Sequence, residues 1–149
     1  MTSEQSIHER VWAIYQAFRA PDAVMFHVAS EGIRGPRERA KFKAMGGVAG
    51  VPDFFCAARQ RAFFLELKRP GGRLSDAQKD MIGALGHHGV PTLIAYNLEE
   101  AVRFLQRQGV LRPDVRFTCE PRLRGAQGGT GASASVPTDP TSLEATTAA

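Results

Sequence analysis

An α/β fold, one mixed β-sheet flanked by helices in the order αβββαβα, is what this sequence predicts, and three observations carry the prediction. Helical spacing of apolar residues, framed by capping residues, marks helix-length segments at the start, middle and end of the chain. Short runs rich in β-branched and aromatic residues lie between them. Two of those runs, residues 51–57 and 62–68, are separated by Arg59-Gln60, which reads as the tight turn of a hairpin.

The elements follow in order. The first helix is expected over residues 3–18, because Ile7, Val11, Ile14, Tyr15 and Phe18 recur on one helical face. Pro21 stops it. Residues 25–28 form the first strand. Residues 30–47 are polar, glycine-bearing and basic; they read as a long loop with one helical turn around residues 37–42. The hairpin comes next. Ser75 then caps a helix that ends near His88, with Gly89 as terminator. Residues 91–96 make a further strand, and Asn97 caps a last helix through Gln108, closed by Gly109. No internal repeat is present. From Gly125 onward Gly, Ala, Ser, Thr and Pro dominate, so residues 125–149 are expected to be a disordered tail behind a folded domain of residues 1–124.

Composition narrows the functional class. A chain of 149 residues with 43% hydrophobic content suits one packed domain. It holds no apolar run of membrane-spanning length and no signal-peptide pattern at its start, which points to a cytoplasmic location. Cys56 and Cys119 are too few for a disulfide framework or a structural zinc site, and Cys56 reads as a small hydrophobe within a strand. Charge is unevenly spread. All 19 Lys and Arg lie at or before Arg124, which makes residues 1–124 +6 and the tail −2. Residues 34–73 hold ten basic residues against three acidic ones. A basic surface around an acidic centre suits a polyanionic substrate.

That acidic centre is Pro52-Asp53, followed thirteen residues later by Glu66-Leu67-Lys68. A symmetric turn at Arg59-Gln60 sets Ala57 opposite Ala62 and Asp53 opposite Glu66. Cross-strand neighbours have Cβ atoms about 4.5–5.5 Å apart, a distance at which two carboxylates can share one divalent cation. Alternation puts Glu66 and Lys68 on one face and Phe63, Leu65 and Leu67 on the other, toward the core. Alone, Pro-Asp would read as a turn. Glu is depleted in strands, and an unpaired carboxylate between apolar neighbours is costly. A cation, or a plain ion pair with Lys68, answers that cost. Glu4 and Glu9 compete as a third acidic residue. At about 100° per residue Glu4 falls near the apolar face of the first helix and Glu9 on the solvent side, which favours Glu4. Gln78 completes Ser75-x-x-Gln78, a capping box that needs no chemistry. His27, His87 and His88 show no metal-ligand spacing. Arg34, Arg37, Arg39, Lys41, Lys43 and Arg73 are the candidate phosphate contacts, with a solvated loop as the alternative. Gly71-Gly72-Arg73 lacks the Gly-Lys-Ser/Thr ending of a P-loop.

Taken together, Lys43-Ala44-Met45-Gly46-Gly47, Ala49-Gly50-Val51-Pro52-Asp53, Glu66-Leu67-Lys68, and Gly72-Arg73-Leu74-Ser75 with Gln78 resemble the VRR-NUC family, a branch of the PD-(D/E)XK (restriction-endonuclease-like) superfamily. The likeness runs from about Glu4 to Gln108, and αβββαβα matches the superfamily core. It implies a metal-dependent endodeoxyribonuclease similar to phage and bacterial enzymes that cut branched DNA, Holliday junctions included, with Mg²⁺ or Mn²⁺. It further implies that Asp53, Glu66 and the Leu67 carbonyl hold the metal, with Glu4 directly or through water, and that Lys68 orients or helps deprotonate the attacking water. Gln78 matches the family's glutamine, so it carries two readings. His8 stands where relatives often have glutamine, and Ser30 where many have asparagine. Two symmetric cuts need two sites, so a homodimer is expected. The alternatives are a non-catalytic DNA-binding module on the same fold, or a module that recruits a partner through its tail.

Overall fold

The hairpin forms in the register that the two-residue turn dictates. Strands β2 (Phe54–Ala58) and β3 (Arg61–Leu67) run antiparallel, with Ala57 opposite Ala62 and Phe54 opposite Leu65. Arg59 and Gln60 take left-handed backbone angles, φ 52° and 59°, the geometry whose twist matches the flanking strands. Asn and Gly are the usual residues there; this chain holds two larger ones, and Arg59 Nη1 donates to the Arg107 carbonyl at 3.4 Å.

This computed structural model describes residues 3–28 and 35–116. The elements are α1 (Glu4–Phe18), β1 (Val24–His27), α2 (Pro36–Ala44), β2, β3, α3 (Asp76–His87), β4 (Thr92–Ala95) and α4 (Leu98–Gln108). The sheet order is β1-β2-β3-β4; β1 and β3 flank β2 antiparallel, and β4 lies parallel to β3. The chain divides into a unit of Met1–Pro113 and a unit of Asp114–Ala149. Of the second, only residues 114–116 are described. The expected boundary at 124, the tail 125–149, Cys119, Ser30 and Arg34 lie outside the described residues.

The helices begin and end where their capping residues stand. Ser3 Oγ accepts from Ser6 N at 3.1 Å, Asn97 Oδ1 from Glu100 N at 2.9 Å, and Ser75 Oγ from Gln78 N at 3.2 Å. Gly109 closes α4 at φ 81°. Two expectations change. The single turn in the basic segment is a helix of nine residues, α2. It has Pro36 in its first turn, Glu38 near its N-terminus and Lys41 and Lys43 in its last turn, each placed to suit the helix dipole. It buries no side chain, so the apolar stripe that reveals a helix in sequence is missing. Strand β2 also starts later than expected: Asp53 precedes it, as a bend.

One face of the sheet is closed. Met25, Phe54, Cys56, Phe63, Leu65 and Leu67 pack with Ile7, Val11 and Ile14 of α1 and Ala101, Val102 and Leu105 of α4, all nearly inaccessible. Each large side chain buried there contributes about 1.5–3 kcal/mol. Cys56 is the small hydrophobe expected, and burial pushes its thiol up to about 12. Tyr15 joins α1 to β1: its hydroxyl donates to the Ala23 carbonyl at 3.2 Å and accepts from Met25 N at 3.0 Å. α3 packs beside β4, on the face that carries Glu66, since Gln78 reaches that residue.

The approach to Asp53 depends on a glycine. Gly50 has φ +82°, and a Cβ there would lie 2.2 Å from the Ala77 carbonyl oxygen, within the first turn of α3. Left-handed geometry alone costs an L-residue about 1–2 kcal/mol. Gly50→Ala is therefore expected to lower the melting temperature by at least about 5 °C, read by circular dichroism. An unchanged melting curve would show that the loop shifts freely.

Candidate active site

Five sequence-selected residues converge at the Leu67 end of β3. Glu66 and Lys68 emerge on the same face and both are buried, at 1% and 7% exposure. Glu66 Oε1 accepts from Lys68 Nζ at 2.5 Å and from Gln78 Nε2 at 2.5 Å. Glu66 Oε2 is buried with no hydrogen-bond partner. Asp53 Oδ2 accepts from Leu67 N at 2.8 Å, which ties the bend before β2 to the end of β3. Glu4 arrives from the start of α1: its Oε1 is 3.5 Å from Lys68 Nζ and its Oε2 accepts from Arg69 N at 3.4 Å. Glu9 is exposed and accepts from Gln5. The structure thus places Glu4 over the site and Glu9 away from it.

Gln78 forms the capping box and also reaches Glu66. Its Oε1 accepts from Ser75 N at 3.0 Å and completes the capping box, while its Nε2 donates to Glu66. The cap that starts α3 therefore also aims an amide at the buried carboxylate.

The electrostatics are those of three acids around one ammonium. Burial, and then the Asp53 charge, push the Glu66 carboxyl above its ordinary value, against the opposing Lys68. Burial also raises Asp53, outweighing the Leu67 N–H, His8 and Lys68. For Lys68, burial would favour the neutral amine. The hydrogen bond and charge of Glu66, followed by Glu4 and Asp53, outweigh it and hold the ammonium above the ordinary lysine value. Lys68 is therefore held as an ammonium among these three carboxylates.

A carboxyl with a raised folded pKa stabilises the fold while protonated. That contribution is present below the ordinary carboxylate value of about 4 and is lost as pH rises through the raised one. With chelator present, Asp53→Asn is therefore expected to be more stable than the parent at pH 7, the gap closing as pH falls toward about 4. Thermal melts across that range test it; a variant less stable at pH 7 would mean that Lys68 and the Leu67 N–H favour charged Asp53.

Sequence reasoning did not place His8 here. Its ring stacks on Phe54 at 4.3 Å and meets His27 edge-on at 4.7 Å, and its Nε2 is buried without a partner. Burial, and to a lesser degree His27, lower its pKa against the pull of Asp53. Its sequence signals are its position, one helical turn after Glu4, and its place where relatives often have glutamine. His87 and His88 pack against each other at the end of α3. The cations Arg37, Arg39, Lys41, Lys43 and Arg73 are exposed.

The donor set suits a hard divalent cation: carboxylates whose charges oppose each other, and one buried carboxylate oxygen without a partner. Among the described residues, no three His, Cys, Asp or Glu side chains are gathered as a ready-made metal set. The carboxylates of Asp53 and Glu66 could hold such an ion, while Glu4 is turned toward Lys68 and Arg69.

A mixed sheet whose hairpin joins an aspartate to a Glu-x-Lys strand, beneath a glutamate from the first helix, is consistent with a PD-(D/E)XK-like core. Residues 3–97 match the VRR-NUC domain, and the chain belongs to that family. Two solved structures share the fold. A VRR_NUC domain protein matches at TM-score 0.60 and 24% identity, over 72% of this chain and 88% of its own. A VRR_NUC domain matches at TM-score 0.50 and 13% identity, over 71% and 97%. No curated protein matches. Among the described residues, no helix is long and apolar enough to cross a membrane.

Proposed function

We propose that this chain is a Mg²⁺- or Mn²⁺-dependent endodeoxyribonuclease that hydrolyses phosphodiester bonds in branched DNA such as Holliday junctions. In this reading it works as a homodimer in the cytoplasm of a bacterial or phage-infected cell. The observation that carries the proposal is Glu66: a carboxylate at 1% exposure, with one oxygen unpartnered, set beside Asp53 and a charged lysine. A structural ion pair would not require the second acid. Asp53, Glu66 and the Leu67 carbonyl would hold the cation, with Glu4 directly or through water; the bound ion lowers the pKa of a water and stabilises charge on the scissile phosphate. Lys68 donates to the attacking water or a phosphate oxygen, and Gln78 fixes the Glu66 carboxylate plane. Arg34, Arg37, Arg39, Lys41, Lys43 and Arg73 neutralise the backbone. Two symmetric cuts in a junction call for two copies of the chain.

Labelled junction, flap and duplex DNAs incubated with Mg²⁺ or Mn²⁺ test the reading. Junctions are expected to be cut fastest, and chelator to stop cleavage. Binding of all three without cleavage in either ion would assign a DNA-binding module on the same fold. Equal cleavage of all three would remove the preference for branches.

A further inference from the structure

We infer that α2 is a groove-seated helix: it enters the major groove of duplex DNA and contacts the phosphate backbones on both sides of that groove. The inference rests on the DNA-cleaving reading above and adds where the duplex lies. At about 100° per residue, Arg37 and Lys41 form one stripe of α2, and Arg39 and Lys43 form another about 160° away. The two arcs between the stripes differ. One holds the exposed Glu38 and Phe42, the only half-buried residue of the helix, whose ring lies over Gly47. The other holds Pro36, Ala40 and Ala44, all small and exposed. The face opposite Phe42 is therefore low and smooth, with a pair of cations along each flank.

A helix that merely solvates itself has no need of this division, and one lying along a single strand needs only one basic flank. An α-helix is about 10–12 Å across and the major groove is about 12 Å wide. A helix seated there meets a phosphate backbone on each side and base edges ahead, so small residues in front allow close approach and cations on both flanks match the two strands. Small apolar side chains carry no hydrogen-bond code, so the contact positions the duplex without selecting sequence. That suits an enzyme that reads DNA shape.

The test uses the full chain and a duplex without divalent cations, so that the DNA stays intact. Dimethyl sulfate reports whether guanine N7, in the major groove, is covered. Protection is expected along the whole duplex, since the contact selects no sequence. It should be lost in both Arg37→Gln/Lys41→Gln and Arg39→Gln/Lys43→Gln. Each double variant should lower the slope of log K against log salt by about 1.8, at roughly 0.9 per lost phosphate contact. Loss of slope in one pair alone, or full N7 reactivity in the bound complex, overturns the groove placement. If cleavage persists in that case, the nuclease reading stands without it; absence of any DNA binding by the parent overturns both.

Discussion

Replacing Glu66 with glutamine is expected to lower DNA cleavage by about a thousandfold, the scale on which removal of one preorganised charge-stabilising group acts, while leaving DNA affinity without divalent cations unchanged. The variant keeps the side-chain shape and removes the charge. Glu66 is the most enclosed acid of the site, and its Oε2 has no protein donor to lose. Lys68 keeps Glu4 at 3.5 Å, so the fold should survive. Single-turnover cleavage of a labelled junction, beside a binding titration in chelator, makes the measurement. Cleavage within a few-fold of the parent at saturating Mg²⁺ would remove Glu66 from the chemistry and leave an ion pair in its place.

The largest structural effect is expected from Lys68→Ala. It leaves the Glu66 carboxylate buried with only the Gln78 amide, and losing one partner of a buried pair costs about 3–5 kcal/mol. Because Lys68 lies at the edge of the site and Glu4 is partly exposed, the lower end of that range is the expectation. By the same reasoning, removing a carboxylate simply relieves repulsion only where it strands no charged partner. That holds for Asp53, whose partner is a backbone N–H. For Glu66 truncated to alanine it fails, since the buried ammonium would be left to Glu4 alone. The double variant Glu66→Gln/Lys68→Met is expected to recover most of the stability lost by Lys68→Ala while remaining inactive. Chemical denaturation of the variants measures the coupling; additive losses would show that the pair does not interact.

What could be read in the sequence was local. Ser3, Ser75 and Asn97 cap helices by hydrogen bonds spanning three residues, so their signals survive without any knowledge of the fold. The hairpin register follows from a two-residue turn, and the Glu4 assignment from the angular period of one helix. Contacts made across elements were less accessible. The cap made by Gln78 belongs to its own helix turn and could be read; its contact with Glu66 depends on the packing of α3 against the sheet. His8 acquires its place from Phe54 and His27, which lie far from it in sequence. α2 escaped because its stabilising terms are a first-turn proline and charges matched to the dipole, with no apolar stripe to betray its period.

The Arg59-Gln60 turn also constrains how the lengths of related chains can vary. Side chains alternate strictly along β3, so a single residue added to or lost from the turn would rotate every later position to the opposite face. Glu66 and Lys68 would then enter the apolar core while Leu65 and Leu67 took the face of the site, a double failure of folding and chemistry. Two residues added together restore the parity. The interval between the aspartate and the Glu-x-Lys strand is thus governed by oddness rather than by size. Among chains that keep this hairpin and its site, the separation of thirteen seen here should change in steps of two, unless a β-bulge absorbs the odd residue.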